Sequence, residues 1–396
     1  MTGPLPRSGR FSTGDTVRAA RPLSRRHGHP GDMTDVRKRL PRVLGLVALG
    51  LLLASCAPHA TQDTLKPAGP TARTIKDLFV PVFWVAVGVF VIVEGGIVWI
   101  LIRFRHRKDG PARMPPQLHG NTRLEVGWTI LPAVVLAFVM VPTVATIWDL
   151  AKPPPADALN VTVEGYQWWW GFVYTDDDMK TTYGDKGPIT VADVLVIPAG
   201  RPVYLSLESK GGGASDYEVI HSFWIPELAG KQDVVPNRTN HIPVEADEPG
   251  TYTGQCAEFC GLEHGRMKFR VVALSQADWE DWVANEKQPS VTPTDPLASR
   301  GMDLFLNPLS GDRGTCVACH AIGGTSAGGT AAPNLTHFAA PEHQCFAGCN
   351  WDTDDTAALE AWLQDPNAVK LGAKMPNYHL QPDEIEALVA YLKSLT

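Results

Sequence analysis

The sequence predicts a multidomain chain: a two-helix transmembrane hairpin, then an all-β domain, then a small carboxy-terminal domain closed by an amphipathic helix. Three observations predict it. The runs Leu78 to Phe104 and Val126 to Leu150 are each long and apolar enough to cross a bilayer, which takes about 20 helical residues. After Pro153-Pro154-Pro155 the pattern changes to short β-rich runs separated by turns rich in Gly, Pro and Asp. Near the end, Ile385, Leu388, Val389 and Leu392 recur at helical spacing in a helix expected over about 382–395. At 396 residues the chain is also too long for one ordinary domain.

The amino-terminal part reads as an export signal. Arg37, Lys38, Arg39 and Arg42 precede an apolar stretch, Val43 to Ala54, and the run Leu53-Ala54-Ser55-Cys56 resembles a bacterial lipobox. Residues 1–55 are therefore expected to be removed, translation is expected to start at Met33, and Cys56 becomes the lipidated first residue of an anchored segment, 56–77. The spans are expected at 78–103 and 126–150. Between them lie Arg103, Arg105, Arg107, Lys108, Arg113 and Arg123, which marks this short loop as cytoplasmic and both flanking segments as external. Glu94 lies inside the first span, where an ionisable group is costly and calls for a partner. Residues 1–150 hold 19 Lys and Arg against 9 Asp and Glu, whereas 151–396 hold 16 against 33. The acidic outer portion suits the steering of a basic protein partner; no nucleic-acid partner is expected.

The middle domain, 151–286, contains β-rich runs at Val161 to Val173, Val191 to Ile197, Pro202 to Leu207, His241 to Glu245 and Lys268 to Val272. Short strands at this spacing predict a Greek-key β-sandwich or barrel, and Ser275 through Asp278 resembles a capping box opening a helix to about Glu286. Inside this domain stands Cys-x3-Cys-x3-His-x2-Met: Cys256, Cys260, His264 and Met267. Two thiols, an imidazole and a thioether in one short loop form a copper-type donor set. Paired cysteines allow both sulfurs to bridge two copper ions, with a second histidine from elsewhere, for which His221 and His241 are the candidates. A disulfide between Cys256 and Cys260 is the alternative.

Residues 287–296 are a Pro-containing linker by composition. In the domain that follows, 297–396, Cys316-Val317-Ala318-Cys319-His320 is the attachment signature of a c-type haem, with Cys316 and Cys319 as thioether donors and His320 as the proximal iron ligand. Met375, the one methionine after that motif, is the expected distal ligand, in competition with His337, His343 and His379. Cys345 and Cys349 are expected to form a local disulfide, with free thiols as the alternative.

From about Leu78 to Val272 the chain resembles subunit II of the haem-copper cytochrome c oxidases. The resemblance rests on Leu124-Glu125-Val126-Gly127-Trp128-Thr129-Ile130-Leu131-Pro132, Tyr166-Gln167-Trp168-Trp169-Trp170, Glu218 through Pro226, and Gly254 through Gly261 with His264 and Met267, in the family's order. Residues 297–396 resemble an all-α class I cytochrome c of the kind fused to subunit II in caa-type oxidases. The resemblance implies a cupredoxin fold carrying a dinuclear copper A centre: Cys256 and Cys260 bridge, His221 and His264 each ligate one copper, and Met267 and the Glu258 carbonyl are weak ligands. It implies that the Glu258 carboxylate binds a magnesium shared with subunit I, that Trp168 is the electron-entry residue, and that Glu125 is the proton-entry carboxylate. Its implied partners are subunit I, other oxidase subunits, membrane lipid and an electron donor, a cytochrome or a quinol:cytochrome c reductase. Its implied role is to pass electrons from the covalent haem to copper A and on to haem in subunit I, where oxygen is reduced to water with proton translocation. The expected location is the bacterial cytoplasmic membrane, multi-pass, with both redox domains outside. A different terminal reductase with the same copper centre, such as a nitric oxide reductase, is the alternative, and a copper chaperone would have no use for the haem motif. Two positions depart from the family pattern: Glu218 replaces the usual Asp, and Asn237 replaces a Gly but tolerates a left-handed turn.

Overall fold

The computed structural model of the chain describes residues 43–51, 60–105, 117, 120–183, 186–211 and 217–396. In the amino-terminal unit, residues 43–51 are helical. Cys56, the expected lipid anchor, lies outside the described residues, as do Arg107, Lys108 and Arg113 of the basic loop.

Helices α1 (Pro70–Arg103) and α2 (Thr122–Leu150) are long and apolar enough to cross a membrane, and their side chains are almost wholly exposed. Helix α1 starts before Leu78 because its first turns belong to the β-sandwich rather than to a lipid phase. The Ala68 and Ala72 N–H groups donate to the carbonyls of Glu227 (2.7 Å) and Leu228 (3.2 Å), and Arg73 pairs with Asp247. Gly69 lies so close to the Glu245 carbonyl that a Cβ there would collide with it. Helix α2 starts before Val126 because Asn121 caps it, accepting from the N–H groups of Arg123 and Leu124, while the Glu125 carboxylate accepts from the Asn121 N–H at 3.3 Å.

The strands are β1 (Leu159–Tyr166), β2 (Trp169–Tyr174), β3 (Thr190–Ala192), β4 (Val194–Pro198), β5 (Val203–Ser209), β6 (His221–Trp224), β7 (Lys231–Val234), β8 (Asn240–Val244), β9 (Gly250–Cys256) and β10 (Lys268–Leu274). They form two five-stranded sheets, ordered β3-β2-β1-β5-β8 and β4-β10-β9-β6-β7. Two expected single runs prove to be pairs. Val161 to Val173 turns back at Gln167-Trp168, so β1 and β2 pair antiparallel with Tyr166 opposite Trp169. Val191 to Ile197 breaks at Asp193, which adopts a left-handed φ of 60° and carries the chain from one sheet to the other. Alternation alone conceals such a break, because the residues on either side are equally apolar. Trp170, Phe172, Phe223 and Phe269 interleave as the aromatic centre of the sandwich, all fully buried. Helix α3 (Gln276–Glu286), capped by Ser275, lays Trp279 and Trp282 against Tyr174. Asn237 takes a left-handed φ of 60°, a conformation that Asn tolerates.

The first residues of the linker are tied down rather than free. Thr182 donates its N–H and hydroxyl to the Lys287 carbonyl (2.8 and 2.7 Å), a His337 ring nitrogen lies 3.1 Å from the Gln288 carbonyl, and Ser290 N–H donates to the Gly323 carbonyl (3.0 Å). Composition reports the stiffness of such a segment, not its partners. Beyond it, α4 (Pro296–Leu306) crosses α7 (Pro382–Ser394), with α5 (Thr356–Gln364) and α6 (Pro366–Val369) between them in sequence. At the α4–α7 crossing Gly301 meets the Ala387 carbonyl so closely that no side chain fits. One short ribbon, β11 (Cys345–Phe346) with β12 (Trp351–Asp352), interrupts this otherwise helical unit, and Cys345 and Cys349 are joined by a disulfide.

Candidate metal centre and adjoining cavity

Three parts of the sandwich bring the metal-type donors together. His221 opens β6, Cys256 ends β9, and Cys260, His264 and Met267 follow on the loop into β10. The two thiols remain unbonded, with their sulfurs 3.8 Å apart. Around Cys256 Sγ lie His221 Nδ1 at 3.9 Å and the Glu258 carbonyl at 3.2 Å; around Cys260 Sγ lie His264 Nδ1 and Met267 Sδ, both at 3.7 Å. His221 is 0% exposed, and among the described residues His221, Cys256 and Cys260 are the one group of histidines, cysteines and carboxylates placed to share a metal ion. His241 lies apart, its ring stacked on Tyr204 and 3.2 Å from the Ser206 hydroxyl. The thiols titrate as a unit: hydrogen bonding to Cys260 holds Cys256 far below its usual range, and the same partner together with burial pushes Cys260 up. A buried pair of soft sulfurs ringed by imidazole, thioether and carbonyl fits copper and offers little to a hard cation.

In the carboxy-terminal unit, Cys316, Cys319, His320 and Met375 line a cavity of about 280 Å³ whose other walls include Phe305, Leu335, Phe338, Leu388 and Leu392. Protein interiors are close-packed, so an apolar space of this size beside two thiols and an imidazole has the dimensions and chemistry of a prosthetic-group site. His320 Nδ1 lies 2.8 Å from the Pro333 carbonyl; donating there leaves Nε2 with the lone pair a metal needs. Burial lowers the His320 pKa and so keeps the ring neutral, as ligation requires. Burial also pushes the Cys316 thiol up to about 11. Of the competing histidines, His343 reaches the cavity wall, but its Nε2 faces the Glu286 carboxylate at 3.2 Å. His337 is held between the carbonyls of Gln288 and Thr396, and His379 is exposed.

The cavity and the sulfur loop share a wall. Trp168 lines the cavity, while its indole N–H donates to the Cys260 carbonyl at 3.0 Å; beside it Gln167 donates to the same carbonyl at 2.8 Å. Gly261 follows at φ +122°, where a Cβ would stand 2.9 Å from the Trp168 ring, so only glycine lets the loop close here. The resemblance placed Trp168 at an electron-entry patch. The structure places it under the carboxy-terminal unit, 6% exposed, against Gly372 and with its carbonyl accepting from Lys370 Nζ at 2.6 Å.

Sequence reasoning missed the residues that join the two units. Arg266 donates to the Val369 carbonyl (2.7 Å), and Arg270 to the Gln344 carbonyl (3.1 Å) and the Asp352 carboxylate (2.6 Å). Asp193 and Lys370 are both buried at this boundary. Burial pushes Asp193 up to about 6 against the pull of Lys370, and pushes Lys370 down to about 8 against the pull of Asp193. Among the other expected site residues, Glu125 caps α2 far along the chain from the sulfur loop, Glu218 is exposed, and the Glu258 carboxylate accepts from the Phe259 N–H at 3.2 Å.

Three family descriptions match in order along the chain: cytochrome c oxidase subunit II, transmembrane domain, over residues 58–146; cytochrome c oxidase subunit II, periplasmic domain, over 159–274; and cytochrome c over 298–396. Cytochrome c oxidase subunit 2 of Alkalihalophilus pseudofirmus is 35% identical over 364 residues, covering 90% of this chain and 98% of the relative. The Bacillus subtilis protein of the same description is 33% identical over 373 residues, covering 89% of this chain and 97% of its own length. Among solved structures, the periplasmic domain of subunit II of cytochrome oxidase of Bradyrhizobium japonicum is similar at 24% identity and a TM-score of 0.28, covering 34% of this chain and 96% of that domain. A membrane hairpin, a β-sandwich with clustered sulfur and imidazole donors, and a cytochrome c unit thus occur in one chain and in the relatives' order, and the chain belongs to the cytochrome c oxidase subunit II family, in the form that carries a cytochrome c domain at its carboxy terminus.

Proposed function

We propose that this chain is the electron-entry subunit of a proton-translocating cytochrome c oxidase: it takes electrons at its carboxy-terminal domain and delivers them through its β-sandwich to subunit I, where oxygen is reduced to water. The observation that carries this reading is Trp168, one side chain that lines the cavity of Cys316, Cys319 and His320 and also donates to the carbonyl of Cys260. When bound, a covalent haem and a dinuclear copper A centre supply one-electron sites that change little in geometry on reduction. The residues that would hold the haem are Cys316 and Cys319, by thioether bonds, with His320 and Met375 at the iron. Those that would hold the coppers are Cys256 and Cys260 as bridges, His221 and His264 as terminal ligands, and Met267 and the Glu258 carbonyl as weak ones.

The surrounding protein suits those tasks. Burial of His221, Cys256 and Cys260 excludes water from the thiolates, and the hydrogen bonds of Gln167 and Trp168 fix the Cys260 carbonyl. Phe259 and Leu262, each 72% exposed on the ligand loop, offer an apolar surface for subunit I. Among the described residues no second carboxylate or histidine joins Glu258 in a metal-binding group, so a magnesium held there takes its other ligands from subunit I. Glu125, at the start of α2, is the proposed proton-entry carboxylate on the cytoplasmic side. Both redox domains then stand on the outer face of the bacterial cytoplasmic membrane, with Cys56 lipidated there and residues 1–55 removed. The working division is 56–77 anchor segment, 78–150 hairpin, 151–286 copper domain, 287–296 linker and 297–396 cytochrome domain.

Metal and spectral analysis of the full-length subunit, purified in its membrane complex, tests this reading. A mixed-valence copper EPR signal should integrate to about one spin per covalent haem. A complex with haem but without that copper signal would reduce the chain to a tethered cytochrome. For the proton role, Glu125→Gln should slow turnover with both metal spectra intact; unchanged turnover would remove the assignment.

A further inference from the structure

Buried charge collects at one place between the β-sandwich and the cytochrome unit. Asp193, at the switch between the sheets, accepts the Trp170 N–H on Oδ1 (3.0 Å) and, on Oδ2, the N–H of Gly348 from the other unit (2.7 Å). Gly348 belongs to the short loop closed by the Cys345–Cys349 disulfide and has a φ of +74°. A Cβ there would stand 2.7 Å from the Arg266 carbonyl and 2.9 Å from that of Trp168, so the loop lies directly on the sandwich backbone. Lys370, just past α6 and 3% exposed, donates to the Trp168 carbonyl (2.6 Å) and to the Ala347 carbonyl (2.8 Å). Each charged group therefore makes one bond inside its own unit and one across the boundary. Buried charges of this kind add little net stability, because desolvation opposes their attraction, but they fix register: any other docking leaves a charge buried without its partner.

We propose that Asp193 and Lys370 are positioning residues that dock the cytochrome unit in one register, so that Trp168 is open to the chain's own haem cavity and closed to any external donor. The proposal rests on the functional reading above and adds a consequence for specificity. An external electron donor is met by the cytochrome unit, and the copper domain receives electrons only from within the chain.

The test uses the full-length chain in its membrane complex, as wild type, Lys370→Met and Asp193→Asn. Lys370→Met keeps the aliphatic stem but removes both donated bonds; Asp193→Asn keeps an acceptor oxygen and removes the charge. The first readout, independent of any cofactor, is hydroxyl-radical oxidation of Trp168 followed by mass spectrometry. The second is the rate of haem-to-copper electron transfer after flash reduction of the haem. In Lys370→Met, Trp168 oxidation should rise and transfer should slow by about tenfold or more, with the haem absorption and copper EPR spectra unchanged. Copper should then accept electrons directly from an added basic cytochrome, whereas in the wild type it should not. Asp193→Asn should shift each readout in the same direction by less. The proposal is overturned if Trp168 stays protected and the transfer rate holds in Lys370→Met, or if that variant loses the haem or copper spectrum, which would mark Lys370 as a merely structural residue. Absence of the copper or haem signal in the wild type would instead overturn the functional reading beneath it.

Discussion

The two redox regions of this chain are built on opposite plans. In the β-sandwich the donors arrive on strands whose own core is already full: Trp170 packs against His221, Phe223 and Phe269, and the sulfurs merely complete that packing. In the cytochrome unit the donors surround a space of about 280 Å³, and core residues Phe305, Leu388 and Leu392 form part of its walls. One region folds and then presents a site. The other has a core whose centre is its prosthetic group. The difference teaches that metal loading and folding are separable in the first and coupled in the second.

Removing the haem attachment should break this contrast most sharply if it is wrong. A space of this size left without its prosthetic group forfeits the packing contacts at the centre of the unit, in a unit with only the marginal stability of a small domain to lose. Cys316→Ala with Cys319→Ala should therefore abolish the cytochrome unit's calorimetric transition while the sandwich keeps its own. Next in size, Trp170→Ala should destabilise the sandwich by about 3–5 kcal/mol and leave the haem spectrum in place, as denaturant titration followed by visible absorption would show. Cys260→Ser should erase the copper EPR signal yet move the sandwich's unfolding midpoint by only about 1 kcal/mol; a collapse of the sandwich would mean that the thiols hold the fold.

The smallest effect concerns acid. Arg313 grips the Glu384 carboxylate with two bonds of 2.6 and 2.8 Å, and this pairing holds Glu384 down to about 2. A carboxylate depressed in the folded state contributes stability above its unfolded pKa of about 4.3, and that contribution is lost as the pH falls towards the folded value. The haem Soret band should therefore report a loss of cytochrome-unit stability between about pH 4.5 and 2, and Glu384→Gln should flatten that slope. A slope unchanged in the variant would assign it to other carboxylates.

What could be read from residues alone follows the same division. Cys316 to His320 and Cys256 to Met267 are contiguous strings whose donor spacing is itself the signal, and they are legible at once. The switch at Asp193 was hidden, because Val191 to Ile197 is apolar on both sides of the break and looks like one strand. The bond between Lys370 and Trp168 spans 202 positions in sequence, and no periodicity or motif reports a pairing of that range. The burial of Trp168 followed from that pairing, so a residue legible as functional in the aromatic motif could not be seen to be covered. The linker was legible as proline-containing but not as tied to Thr182 and Gly323.

The central claim is that electrons reach the copper domain from within this chain. Its most direct measurement is anaerobic flash reduction of the haem in the intact complex, with copper reduction followed optically over a range of protein concentrations. The account predicts a transfer rate independent of concentration and unaffected by salt. A rate that rises with protein concentration or with added soluble cytochrome would mean that copper is reduced from outside, and would contradict it.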